Sequence, residues 1–188
     1  MAQIVFVDLE TTGFSREWDY IIEVAAIMYD EETQKIGEIF HEYIRPGKRI
    51  PPKVTEITGI TEEMVVDARI EQEVLADFYE WLYAKKPAKI VGHNVKSFDF
   101  TFLRTKAERY RLALWEDMEI IDTLHLSRKL SKEGKIAVAN HQQTTLANFY
   151  GIEYQAHSAI EDVKALIKLY EKMGLNSTVK SKRMELGF

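Results

Sequence analysis

Ile4-Val5-Phe6-Val7-Asp8-Leu9-Glu10 starts as an unbroken apolar run and ends in two acids one residue apart. A short run rich in β-branched and aromatic residues reads as a buried strand, in which residues i and i+2 point to the same face. Asp8 and Glu10 therefore share a face at the strand's end. Their backbones are roughly 6–7 Å apart, a span that accommodates two cations about 4 Å apart. Such a pair leaving an apolar strand is costly without cations; the plain alternative is that both acids cap the loop that follows.

Outward from this run, Tyr20 to Tyr29 reads as a second strand and Phe40 to Ile44 as a third, linked by turn chemistry at Thr12-Gly13 and Asp30-Glu31-Glu32. Three strands on short links imply an antiparallel meander. Pro46 and Gly47 end it. Pro51-Pro52 opens a short helical turn that Gly59 closes, and Thr61 to Met64 starts another. From Glu71 to Lys85 the residues Val74, Leu75, Phe78, Trp81 and Leu82 recur at helical spacing, and Pro87 stops that helix. Lys89 to His93 reads as a fourth strand, Phe98 to Tyr110 as a helix, and Glu119 to Asp122 as a fifth strand before another helix. Ser127 to Asn140, with Arg128, Lys129, Lys132 and Lys135 around Gly134, reads as a mobile basic loop. Leu146 to Tyr150 and Ser158 to Met173 complete the helices, with Gly174 as C-cap. A meander followed by β-α-β-α units predicts an α/β fold: a mixed sheet with helices packed on its faces.

At 188 residues one domain is expected. The absence of cysteine excludes disulfides and thiolate ligands, so any metal would be a hard ion such as Mg²⁺ or Mn²⁺ held by oxygen or imidazole. A formal charge of −5 argues against a partner held by bulk electrostatics, nucleic acid included. The N-terminal apolar run is too short for a signal segment, and no stretch approaches the roughly 20 apolar residues of a membrane span, so a cytoplasmic location is expected.

A second informative segment is His157-Ser158-Ala159-Ile160-Glu161-Asp162, where Ser158 and Glu161 have capping-box spacing. With Ser158 as N-cap, His157 falls at N′ and Asp162 at N4, the positions that meet in a staple. A loop imidazole and a helix carboxylate are thus brought together, the one suited to a water and the other to a metal. Asp99, in His93-Asn94-Val95-Lys96-Ser97-Phe98-Asp99, suits a helix start. It also falls, like Asp8 and Glu10, at the carboxyl end of a strand, where α/β sheets keep their ligand crevice. Asp122 reads as an N-cap ahead of Thr123.

Val7-Asp8-Leu9-Glu10-Thr11-Thr12-Gly13, then Gly92-His93-Asn94 with Phe98-Asp99, then His157 with Asp162 resemble, in order and spacing, the three motifs of the DEDDh, or DnaQ-like, 3′-to-5′ exonuclease family. Thr58-Gly59-Ile60-Thr61, Ile121-Asp122-Thr123-Leu124 and Leu146-Ala147-x-x-Tyr150-Gly151-Ile152 extend the likeness over nearly the whole chain. The resemblance implies a ribonuclease H-like five-stranded sheet, an exonuclease domain over residues 1–174, and two divalent cations, Mg²⁺ or Mn²⁺. It implies that Asp8 bridges both cations, Glu10 and Asp162 ligate the one that carries the attacking water, and Asp99 holds the other through water. His157 would be general base, a task that an imidazole of ordinary pKa, about 6.5, suits near neutral pH. For the substrate it implies backbone contacts from Leu9 and Thr11, a hydroxyl contact from Thr11 or Thr12, and a cleft lined by Asn94 and Phe102, with Ile60 and Met64 wedged against bases. Phe102, one turn after Phe98, is equally placed for the core. Single-stranded 3′ ends are the expected partner, DNA ahead of RNA, because Thr-Thr-Gly with Gly-Ile-Thr looks more like the proofreading exonucleases of bacterial replicative polymerases. Residues 175–188 read as a flexible basic tail whose end faintly resembles a sliding-clamp peptide, so a polymerase or a clamp is a further candidate partner.

Overall fold

A computed structural model of the chain describes residues 3–113 and 117–174. β1 (Gln3–Thr11), β2 (Ile21–Asp30) and β3 (Lys35–Tyr43) form the expected antiparallel meander. β4 (Lys89–Gly92) pairs parallel to β1 on its other side, and β5 (Glu119–Asp122) parallel to β4, giving one five-stranded sheet of order β3-β2-β1-β4-β5. The described helices are α1 (Pro52–Thr58), α2 (Glu62–Val65), α3 (Glu71–Lys85), α4 (Asp99–Tyr110), α5 (Thr123–Lys132), α6 (Gln143–Phe149) and α7 (Ala159–Lys172).

β1 sits mid-sheet and its side chains alternate between two cores. Val5, Val7 and Leu9 pack with Val74, Phe78 and Leu103 of α3 and α4, whereas Ile4 and Phe6 pack with Val163, Leu166 and Tyr170 of α7. Each such buried side chain contributes about 1.5–3 kcal/mol by leaving water, so the alternation locks the strand's register. That register has a functional consequence, because Asp8 and Glu10 continue the Ile4–Phe6 series and so face α7.

Two elements differ from expectation. β3 begins at Lys35 rather than Phe40; its first half is an exposed edge in which Ile36 and Ile39 stand three apart around Gly37 and Glu38, so no period-two apolar alternation exists to be read. The segment expected to be a loop from Ser127 is helical through Lys132. Ser127 is buried against the fold while Arg128 and Lys129 face solvent, so the basic residues mark the outer face of α5 rather than a loop. Gly134, at φ +69°, then turns the chain. No helix of the described residues is long and apolar enough to cross a membrane. The basic tail expected over residues 175–188 lies outside the described residues.

Candidate active site

Asp8 and Glu10 of β1 and Asp162 of α7 each offer a carboxylate oxygen, and the three lie within 4.8 Å of one another. Strand alternation aims the first two. The start of α7 aims the third: with Ser158 at the N-cap, the Asp162 N–H donates to the Ser158 carbonyl at 2.9 Å, and Asp162 Oδ2 accepts the His157 N–H at 2.7 Å. The N′–N4 staple is therefore formed by polar groups, as its spacing predicts. His157 itself is exposed and takes φ +68°, a left-handed backbone uncommon outside glycine, though less so for His than for most residues.

The capping box is not formed. Ser158 makes no side-chain cap bond, and Glu161 pairs instead with Lys164 at 2.7 Å. Glu23 replaces it. This acid is fully buried on β2, directly opposite Glu10 in the register, and its Oε2 accepts the Ala159 N–H at 3.1 Å. Its other oxygen bonds His41 Nε2 at 2.7 Å, so the first turn of α7 is pinned to the sheet through one side chain.

Asp99 opens α4 and is buried, with its Oδ1 accepting the Leu9 N–H at 3.2 Å. It shares the rim but stands outside the cluster of three oxygens. All four acids line one pocket of about 190 Å³, together with His157, Asn94 and Phe98. Asn94, at φ +67°, belongs to a loop that Asp122 organises: the Asp122 carboxylate accepts the N–H groups of Asn94 and Lys96, at 3.0 and 3.1 Å, and caps α5 through Leu124 at 3.0 Å. Gly92 lets that loop turn, since a Cβ there would lie 2.5 Å from the Val95 Cβ. Asp122 thus caps α5, as its position before Thr123 predicts, and also anchors the loop, which the sequence did not signal.

The pocket accumulates negative charge, with no Lys or Arg in its lining among the described residues. Burial, then the charges of Asp99, Asp162, Glu10 and Glu23, pushes Asp8 well above the usual carboxylate range. Glu10 rises to about 8 through burial and then the charges of Asp162, Glu23 and Asp99. Burial likewise raises Asp99 to about 7, against the pull of hydrogen bonds from its own and the Leu9 backbone. Asp162 is raised by burial too, with hydrogen bonds from Tyr154 and the His157 and Ser158 backbones opposing. An all-oxygen set under this mutual repulsion fits hard divalent cations, which would relieve it.

Other expected contacts are distributed differently. Phe102 is 1% exposed and belongs to the core, while Phe98, one turn earlier, lines the pocket with its ring centroid 5.0 Å from that of Phe102. Ile60 is 1% exposed and packs under α2, whereas Met64 is 46% exposed. The Thr12 hydroxyl is committed on both sides, donating to Asp19 at 3.1 Å and accepting from Tyr20 N–H at 3.0 Å. That of Thr11 donates to the Gly13 carbonyl at 2.6 Å, and the Leu9 N–H is taken by Asp99. Sequence reading missed Gln143, whose Nε2 donates to Asp162 Oδ1 at 2.8 Å, and set His93 aside although it lines the pocket. It also missed Glu23. Neither Gln143 nor Glu23 sits in a spacing that signals chemistry, although an acid inside the apolar run Ile21 to Tyr29 was a legible anomaly.

Residues 5–170 match the RNase_T exonuclease family model. A PolC-type DNA polymerase III of Caldanaerobacter subterraneus subsp. tengcongensis is 37% identical over 172 residues, 91% of this chain and 11% of that protein. One from Staphylococcus aureus is 37% identical over 173 residues, 92% of this chain and again 11% of the relative. The chain thus spans about a tenth of the length of these relatives. Among solved structures, exonuclease I superposes with a TM-score of 0.83 at 25% identity, covering 98% of this chain and 44% of that one. E. coli exonuclease I in complex with a dT13 oligonucleotide gives 0.82 at 25% identity, over 99% and 42% of the two chains. The sheet and its flanking helices are accordingly ribonuclease H-like.

Proposed function

The chain belongs to the DnaQ-like RNase_T exonuclease family, and on that premise we propose that it is a two-metal 3′-to-5′ exonuclease of DEDDh type that removes nucleoside 5′-monophosphates from single-stranded DNA ends. The observation that carries this reading is the convergence of Asp8, Glu10 and Asp162 within 4.8 Å, with the exposed His157 imidazole at the mouth of the same pocket. Asp8, Glu10 and Asp162 would hold the cations, with Asp99 adding a fourth carboxylate from the rim of the same pocket. Two such ions, when bound, acidify the attacking water and offset charge on the attacking and leaving oxygens. His157 accepts the proton of that water. Its left-handed backbone and the short bond from its N–H to Asp162 hold the ring's base against the helix start. Gln143 fixes the Asp162 carboxylate from the other side. Phe98 offers an apolar wall for a terminal sugar or base; Asn94, Met64 and the Leu9–Thr11 backbone complete the contacts by family likeness.

Proofreading or repair is the role that the PolC-type likeness supports, with a replicative polymerase as the candidate partner. The decisive experiment offers matched single-stranded DNA, single-stranded RNA and mismatched primer ends with Mg²⁺ or Mn²⁺. Stepwise release of 5′-mononucleotides, fastest from DNA, is expected, and Asp8→Ala should slow it by about a thousandfold or more. Faster release from RNA would make the enzyme an RNA trimmer. No release from any of the three with either metal would leave a silent nucleic-acid-binding module as the better reading.

A further inference from the structure

The acid pocket, at about 190 Å³, is smaller than the roughly 300–1,000 Å³ of ordinary ligand clefts. It has room for ions and a phosphate, so the rest of a strand must lie elsewhere. A second pocket of about 530 Å³ adjoins it and shares three walls, His93, Asn94 and Gln143. Arg128 of α5 and His141, just ahead of α6, also line it. Among the described residues no carboxylate lines it, in contrast to its neighbour. Arg128 is exposed and has no acidic partner among the described residues, unlike Lys129, which approaches Glu133 at 3.9 Å. Burial lowers the pKa of His93, opposed by the Asp122 charge and a hydrogen bond to the His141 backbone, and the nearby Arg128 charge adds to the lowering. His141 Nδ1 is buried with no hydrogen-bond partner among the described residues. Leu124 adds an apolar surface.

We propose that this pocket binds the nucleotide on the 5′ side of the scissile phosphate, with Arg128 and His141 holding its phosphodiester and Leu124 meeting its sugar or base. The inference rests on the nuclease reading above and adds to it the path of the strand. It also bears on how a chain of formal charge −5 holds a polyanion: Arg128 sets a cation outside the acid pocket, where the strand leaves it.

The test compares two substrates on the full chain with Mn²⁺. The p-nitrophenyl ester of thymidine 5′-monophosphate has no nucleotide on the 5′ side, whereas a thymidine dodecanucleotide has many. For Arg128→Ala and His141→Ala we expect KM for the oligonucleotide to rise about five- to tenfold and the slope of log affinity against log salt to fall by about 0.7 for each phosphate no longer neutralised. Ester kinetics should not change, and Arg128→Lys should recover most of the loss. Oligonucleotide KM within about twofold of the parent, with an unchanged salt slope, overturns the proposal. So does an equal loss on both substrates, because the pocket would then serve the released nucleotide or the acid site. If the parent chain hydrolyses neither substrate, the nuclease reading itself fails.

Discussion

At the scale of single residues, Glu10 shows how a site can oppose the fold that carries it. Its carboxyl is held at about 8 rather than 4.5 by burial and by the neighbouring acids. A carboxyl whose pKa is raised on folding binds protons more tightly in the folded state, so its contribution is greatest below about 4.5 and is lost as pH rises towards about 8. The metal-free protein should therefore lose stability across that window. Glu10→Gln should flatten the loss and raise the metal-free melting temperature at pH 8 by roughly 2–4 °C, about 1 kcal/mol in a chain of this size. Adding Mn²⁺ should stabilise the parent more than the variant. Scanning calorimetry at several pH values with and without metal checks both signs, and a variant less stable than the parent at pH 8 would contradict the charge argument. The acids were legible as a pair because strand period places i and i+2 together. Their mutual distance from Asp162 was not, since it depends on where a helix more than a hundred residues later comes to rest.

Among the elements, α7 matters most because its first turn carries His157 and Asp162. The capping-box spacing of Ser158 and Glu161 located that turn correctly, yet the cap itself is supplied across the sheet by Glu23. Glu23→Ala leaves the Ala159 N–H and His41 without their acceptor and should cost about 1–3 kcal/mol. Because the anchor sets where α7 begins, turnover should fall about tenfold or more while KM changes little. Glu23→Gln keeps an acceptor and should restore much of both. Thermal denaturation alongside steady-state kinetics separates the outcomes, and lost stability with full turnover would reduce Glu23 to a core residue. Helix α5 teaches a complementary lesson. From Ser127 on, its residues looked like a loop because Arg128, Lys129, Ser131 and Lys132 surround the single apolar residue Leu130, and the inward-facing Ser127 is polar.

Over the whole molecule, a buried network ties the segment after β1 to the opposite core. Lys106 of α4 is fully buried, donates to the Asp19 carbonyl, lies 3.6 Å from Glu71 and sits 5.0 Å from the centre of the Tyr20 ring. Glu71 in turn accepts the Ile21 N–H at 2.7 Å and the Tyr110 hydroxyl at 2.6 Å. Removing one charge from such a pair strands the other, so Lys106→Met should cost about 3–5 kcal/mol. Combining it with Glu71→Gln should cost less than the sum of the two single changes by about 1 kcal/mol or more, the mark of a coupled pair. Chemical denaturation of the four proteins completes that cycle; strict additivity would show that the pair does not interact.

The sequence by itself determined the strand and helix order, the alternation that turns Asp8 and Glu10 to one face, and the N′–N4 geometry of His157 and Asp162. All of these follow from local periods and caps that extend over a few residues. Only the tertiary structure decided that Glu23 caps α7, that Gln143 and His93 join the acids, that Phe98 rather than Phe102 faces the pocket, and that Arg128 stands over its neighbour. Those choices depend on how the sheet and helices pack, and a hydrogen bond between residues 23 and 159 has no period for a sequence to display.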